Sequence, residues 1–325
     1  MQESKVKNAL KKFFALDASA VIVAMIVLIV IISVLAPMIT GGTFLTSTNI
    51  MNIFRKQTYI GIIACGMTLV MITGNIDLSV GNMMTLLTVI CALLTKSIGP
   101  VGAIVLTLLI GAACGALNGV LVGPLKLNAF ITTLGTTSIF YALSLIISSG
   151  FTQRAESKLF DAIGSGSLWI FPVPVVIMAV IVAIFWFVLK RTVFGQQLYA
   201  IGANQTAAKF SGIRDRVQIM VAYILTGLCS ALAAIVMIAR STSANPQAAS
   251  GTEMDVILAV VVGGTSIAGG KGTMFGTVLG FLFIGFMTTG FTFLGMNEYV
   301  QNIVTGVILV AALSFDVIKA RRNKL

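Results

Sequence analysis

Residues 66–81 read Gly66-Met67-Thr68-Leu69-Val70-Met71-Ile72-Thr73-Gly74-Asn75-Ile76-Asp77-Leu78-Ser79-Val80-Gly81. An apolar run is interrupted by glycine, a lone Asp77 and small polar residues, and then resumes at once. In lipid, a carboxylate or an unsatisfied backbone group costs several kcal/mol. An interruption of this kind therefore persists only where it is buried in protein, lines an aqueous path or sits at a membrane surface.

The composition supports a lipid setting for the whole chain. Of 325 residues, 58% are hydrophobic and 10% charged, with a mean hydropathy of +1.04, whereas a soluble domain carries about 25% charged residues. At about 20 apolar residues per crossing, roughly ten crossings fit, and no sizeable soluble domain does. The expected fold class is all-α: one polytopic membrane domain covering 1–325. Spans are expected near 18–39, 58–74, 79–95, 100–122, 128–149, 169–189, 217–239, 255–269, 273–291 and 299–316. The stretch 255–269 is short for a full crossing and reads as a broken or tilted helix. Ala18 to Ile39 exceeds the core of a cleavable signal and reads as a retained first span.

The net charge of +11 does not point to nucleic acid, because the basic residues sit in short gaps between apolar runs. With the N-terminus inside, fifteen of the 21 Lys and Arg residues fall in inside gaps and six in outside gaps. That bias predicts both termini in the cytoplasm and an even number of spans. Histidine is absent, which removes the commonest proton relay and metal ligand. Cys65, Cys91, Cys114 and Cys229 lie in apolar runs without metal-type spacing and read as packing residues. No metal site is expected.

Glycines recur every four residues at Gly111, Gly115, Gly119 and Gly123, and again at Gly272, Gly276 and Gly280. This small-xxx-small pattern lets helices approach closely in a membrane, either inside one bundle or at a dimer face. The longest inside gap, 190–216, has a helical pattern. Leu198, Ile201 and Ala208 fall on one stripe, and the segment 191–213 reads as one short amphipathic helix bounded by Gly195 and Gly212. A helix this short is marginal alone in water and needs a partner surface, whether the membrane or another protein. The outside gap 150–168 reads as a solvated loop with at most a short surface helix.

No catalytic constellation emerges. The nearest phosphate-loop candidate, Gly264 to Gly272, has Thr265 where the first glycine belongs and Gly272 where Ser or Thr must follow Lys271. The chain is not expected to hydrolyse nucleotide. An intramembrane protease would need a second deep carboxylate, and Glu253, Asp255, Glu298 and Asp316 all sit at span ends. An ion-coupled carrier remains a rival, because a broken helix beside an acid suits one. Asp77 reads either as a cap for the following span or as part of a pathway. Gly74, Asn75, Asp77, Ser79 and Gly81 at the break, with Asn118 and Asn128 as further polar candidates, are where a pathway would lie.

Three segments together resemble the permease subunits of bacterial ribose-type ABC sugar importers. The first is Thr73 through Gly81, close to T-G-G-I-D-L-S-V-G, with Asn75 in place of the second glycine. The second is Phe194-Gly195 through Gly202-Ala203-Asn204, then Ala207-Ala208 and Ser211-Gly212-Ile213, with Gln196 in place of a common Arg. The third is Gly263 through Gly272, followed by Gly276 and Gly280. The likeness runs from about Phe44 to Ala320.

The resemblance implies a type II ABC importer-like helical bundle in the bacterial inner membrane, working as a homodimer of permeases around one path. It implies a cytoplasmic ABC ATPase with two nucleotide-binding sites and an extracytoplasmic sugar-binding protein. ATP and magnesium would be held by the ATPase, so this chain has no cofactor of its own. Residues 190–216 would be the coupling loop, with Phe194, Gly195, Leu198, Tyr199, Ala200, Gly202, Asn204, Ala207, Ala208, Ser211 and Gly212 as its motif positions. The cargo expected is a monosaccharide such as a ribose-like pentose, with a nucleoside or a branched-chain amino acid as alternatives.

Overall fold

The computed structural model describes residues 19–248 and 251–322. Lys5, Lys7, Lys11, Lys12 and Lys324, part of the charge bias, lie outside the described residues. The elements are α1 (Ser19–Thr40), α2 (Ser47–Ile72), α3 (Val80–Val122), α4 (Ala129–Ser148), α5 (Lys158–Gly164), α6 (Val173–Arg191), α7 (Val193–Ala203), α8 (Gln205–Phe210), α9 (Asp215–Ser241), α10 (Thr252–Val262), α11 (Met274–Phe293) and α12 (Glu298–Arg322). Two surface ladders of two-residue strands complete the described fold. β1 (Gln153–Arg154) pairs antiparallel with β4 (Ser243–Ala244), and β2 (Ser167–Leu168) with β3 (Phe171–Pro172). The chain is a helical membrane bundle, as its composition predicts.

Among the described residues, six helices are long and apolar enough to cross a membrane: α1, α3, α4, α6, α9 and α11. One of them is two spans. The 43 residues of α3 contain Gly99 at φ 79° and ψ 168°, followed by Pro100. Glycine accepts a positive φ and proline offers no amide to continue the helix. A Cβ on Gly111 would lie 3.4 Å from Leu87 Cδ1. Residues on either side of Gly99 therefore face each other, and the two halves fold back as an antiparallel pair.

The core is a central group with lipid-facing helices around it. Residues 60–72 of α2 and 80–89 of α3 are buried on every side, the signature of a helix enclosed by others. Helix α9 packs along α3 and α2, and α11 along α10 and α2. Helices α1, α4 and α6 expose large apolar side chains, including Val30, Val34, Ile131, Ile146, Val180 and Phe187, which suits a surface bathed in hydrocarbon.

The glycine ladder lies inside the bundle. A Cβ on Gly119 would come 2.7 Å from Met220 O and 3.0 Å from Met220 Cα, and one on Gly111 2.7 Å from Gly227 O. All of these neighbours are backbone atoms of α9, so the helices touch main chain to main chain. Gly276 and Gly280 press on Gly263 and Ala259 in the same way, whereas Gly272 precedes α11 in the loop.

Two expected helices differ. Residues 255–269 are not one continuous helix: α10 stops at Val262, an 11-residue helix of about 16 Å. Gly264 follows at φ 91° and an irregular stretch runs to Thr273. The segment 191–213 is two helices, α7 and α8. Asn204, at φ −162° and ψ 100°, ends the first and caps the second by accepting from Ala207 N at 3.0 Å. Gly195 lies within α7, with Thr192 as its N-cap. In the gap 150–168, α5 is the short surface helix, anchored by the buried Phe160.

Candidate functional site: a junction of two broken helices and a surface helix

Helix α2 ends at Ile72. Gly74 takes φ 78°, and its amide donates to Met71 O at 2.9 Å. Thr73 Oγ1 donates to Val70 O at 2.7 Å, and Asn75 Nδ2 to Thr73 Oγ1 at 2.9 Å. The chain then runs irregularly through Asn75 to Asp77 and turns at Leu78 and Ser79, where Ser79 has φ −85° and ψ −12°, into α3. Gly74 is exposed and Asn75 and Ile76 are half-buried, but Asp77 to Ser79 are buried, so their polar groups must find partners inside the protein.

They find them on three other helices. Tyr223 Oη of α9 donates to Ile76 O at 2.9 Å. On α4, Thr133 Oγ1 accepts from Leu78 N at 3.1 Å, and Thr137 Oγ1 donates to Leu78 O at 3.1 Å. Thr137 Oγ1 also accepts from Asn82 Nδ2 at 3.1 Å. Asp77, 0% exposed, accepts through Oδ1 from Ser79 N at 2.9 Å and from Ser79 Oγ at 2.6 Å. Ser79 Oγ in turn accepts from Asn118 Nδ2 at 2.7 Å. Asp77, Ser79 and Asn118 thus form one buried polar chain, with Gly81 buried on the next turn.

The second irregular stretch, 263–273, meets the first. Gly270 N donates to Ile72 O, the last carbonyl of α2, at 2.8 Å. A Cβ on Gly269 would lie 2.8 Å from Gly74 N and 3.1 Å from Gly202 Cα, and one on Gly270 3.0 Å from Ala203 Cα. A Cβ on Gly202 would strike both Ile72 O and Gly270 N. Four glycines, Gly74, Gly202, Gly269 and Gly270, therefore let three backbones share one point. Below the junction, Thr68 Oγ1 and Thr277 Oγ1 lie 2.7 Å apart and tie α2 to α11.

Helix α7 is the third member of this junction. Thr192 Oγ1 accepts from Gly195 N at 3.2 Å. Gly195 lets α7 lie against the end of α6, since a Cβ there would be 2.5 Å from both Val188 O and Leu189 O. Leu198 is 0%, Ile201 2% and Ala208 4% exposed, so the apolar stripe turns inward onto the bundle. Tyr199 Oη donates to Gly272 O at 2.8 Å. Burial raises the pKa of this phenol above its ordinary value, so it keeps the proton it donates. Gln205 Nε2 donates to Asp215 Oδ2 at 2.9 Å and ties α8 to α9.

The remaining motif positions lie away from the junction. Phe194 and Ala200 are half-buried on α7, while Ala207, Ser211 and Gly212 are exposed on and beyond α8. Asn128 caps α4 by accepting from Ile131 N at 3.2 Å. Sequence reasoning missed Tyr223, Thr133, Thr137 and Phe210. The first three are polar residues within spans, a weak signal. Phe210, 88% exposed, follows the stripe residue Ala208 but lies off the stripe, an aromatic with no apolar neighbour in sequence to cover it. Among the described residues, no group of three or more His, Cys, Asp or Glu is placed to hold a metal.

Comparison with known proteins agrees with this reading. Residues 49–313 match the family described as branched-chain amino acid transport system / permease component. The ribose import permease RbsC of Escherichia coli is 38% identical over 303 residues, covering 91% of this chain and 92% of the relative. The RbsC of Bacillus subtilis is 39% identical over 294 residues, covering 89% of each chain. The D-allose transport system permease AlsC of Escherichia coli is 36% identical over 275 residues, covering 84% of each chain. No solved structure matches. The chain belongs to the branched-chain amino acid transport system permease family, and within it to the ribose-type sugar permeases.

Proposed function

We propose that this chain is the membrane-crossing subunit of an ATP-driven importer that carries a monosaccharide, a ribose-like pentose or a related sugar. It crosses the bacterial inner membrane ten times, with both termini in the cytoplasm and lipid around its outer helices. It pairs with a second copy of itself and receives sugar from an extracytoplasmic binding protein. A cytoplasmic ATPase holds ATP and magnesium at two sites, so the permease itself is neither an enzyme nor a cofactor protein. The import permeases for ribose and allose among its relatives support the sugar reading.

The observation that carries this proposal is the position of Gly202. It lies in α7 and presses its backbone on the end of α2 and on the 263–273 stretch at once. A ligand shifts a conformational equilibrium only by its differential affinity for the two states, so the path from motor to membrane must be stiff. Side chains absorb a displacement by changing rotamer, whereas backbone packed on backbone passes it on. In this reading the exposed surface of α8, with Ala207 and Phe210, is gripped by the ATPase. Movement there shifts both broken helices together and opens or closes the path beside them.

The test is Gly202→Leu in the reconstituted importer. The expected result is an assembled complex that still hydrolyses ATP while sugar uptake falls by more than about tenfold, a barrier change of about 1.4 kcal/mol. Uptake at the native rate in a variant that binds its ATPase would remove α7 from the transmission path.

A further inference from the structure

Both tryptophans of the chain belong to one helix and its lead-in. Trp169 stands just before α6, between β2 and β3, and Trp186 lies in α6, one turn before Lys190. The span expected from residue 169 begins as a helix only at Val173, because Ser167 pairs with Pro172 and Leu168 with Phe171. Trp169 and Ile170 are therefore the two-residue loop of a hairpin. Trp169 takes φ 62°, at a loop position where glycine is favoured and a bulky residue is strained. Nothing among the described residues covers it: Trp169 is 94% exposed, and Leu168, Ile170 and Phe171 are exposed beside it.

Contiguous large apolar side chains of this kind mark a surface made for a partner. The hairpin packs on α6, and no charged residue lies between Asp161 and Lys190. The patch thus continues into a helix that exposes Val180, Ile184 and Phe187. Over its 19 residues, α6 advances about 28 Å, close to the roughly 30 Å of a hydrocarbon core. Near its far end, Lys190 Nζ lies 5.2 Å from the centre of the Trp186 ring. Tryptophan collects at the two surfaces of a bilayer, where its apolar ring and its polar N–H each find a suitable medium. We infer that the 167–172 hairpin dips into the headgroup boundary of the leaflet opposite α7, with Trp169 as its anchor, and that Trp186 beside Lys190 is the matching anchor at the other surface. The partner is the lipid surface itself, and burial of the hairpin tip there offsets the strained turn. Helix α6 is then fixed at both surfaces. Because Thr192 alone separates α6 from α7, the same anchors set the depth at which α7 is held. The inference needs only that α6 crosses a membrane, and it is independent of cargo and motor.

The experiment uses the full chain, reconstituted without other proteins into phosphatidylcholine vesicles. Some vesicles carry bromine near the headgroup end of the acyl chains and others near the bilayer centre, since bromine quenches a tryptophan it touches. Trp186→Phe leaves Trp169 as the sole tryptophan. Its emission is expected to lie to the blue of tryptophan in water and to fall about twofold or more in the shallowly brominated lipid, and less in the deeply brominated one. Iodide in the water should quench it weakly. Trp169→Phe, which leaves Trp186, is expected to show the same depth preference. Its difference from the native protein also yields the Trp169 signal should the first variant fail to fold. Strong quenching by iodide with no loss in brominated lipid puts the hairpin in water and overturns the inference. Protection from both quenchers overturns it as well, because a second copy of the chain then covers the ring. Loss that is greatest in the deeply brominated lipid places the hairpin inside the hydrocarbon and removes the interfacial anchor.

Discussion

Asp77 commits Oδ1 to two donors of the same residue, the amide and hydroxyl of Ser79. An asparagine side-chain oxygen still accepts both bonds, though more weakly than a carboxylate, whereas alanine leaves the buried amide without a partner. Asp77→Asn is therefore expected to keep most sugar uptake. Asp77→Ala should lose it and cost about 1–3 kcal/mol of stability, measured by thermal unfolding in detergent. An ion-coupled carrier gives the opposite signature. There the charge itself is used, Asp77→Asn abolishes transport, and an ionophore collapses uptake without any ATPase. The unusual status of Asp77 is legible in sequence, because a carboxylate amid apolar residues has few reasons to be there. The bond from Asn118 to its partner Ser79, and that from Tyr223 to Ile76, span 39 and 147 residues, which no local pattern encodes.

Helix pairing depends on what each helix leaves out. The α3–α9 contact is close because Gly111, Gly115 and Gly119 have no side chain to hold the backbones apart. Gly115→Val pushes a side chain against Tyr223 O and Ile224 Cα, and neither backbone atom can swing aside. The expected cost is about 1–3 kcal/mol from overpacking, read as a lower unfolding temperature. A closely packing face was readable beforehand, since the four-residue glycine period is local and physical, but its partner α9 was not. Nor was the division of 191–213 into α7 and α8. Asn204 breaks the helix by offering its own side chain as a cap, and no proline or glycine stands there to announce it. Phe210 offers a second test. Its ring is exposed beside a polar loop, and buried aromatic anchors dominate protein interfaces. Phe210→Ala should weaken ATPase binding by about 2 kcal/mol, measured in detergent with the purified partner, and should leave the permease's own unfolding temperature unchanged.

Across the whole molecule, hydropathy read out a membrane bundle, and motif order read out the family. Segment 255–269, foreseen as short, proved shorter still, because α10 gives way to a glycine-rich stretch shaped by the end of α2 and by α7. Helix α2 itself has a place in this architecture that follows from its two ends. It starts with Asn49, Asn52, Arg55 and Lys56 in its first turns and finishes with the Ile72 carbonyl bonded to Gly270 N. Its 26 residues hold no proline and reach about 39 Å, so one uninterrupted rod joins the two faces of the protein. Thermodynamic linkage is reciprocal. Whatever factor nucleotide binding adds to the affinity for the sugar carrier outside, docking of that carrier must add to the affinity for nucleotide inside. In the proposed importer that coupling runs along the rod, and cutting its inner end should leave nucleotide affinity the same whether the binding protein is docked or absent, measured by nucleotide titration of the reconstituted complex.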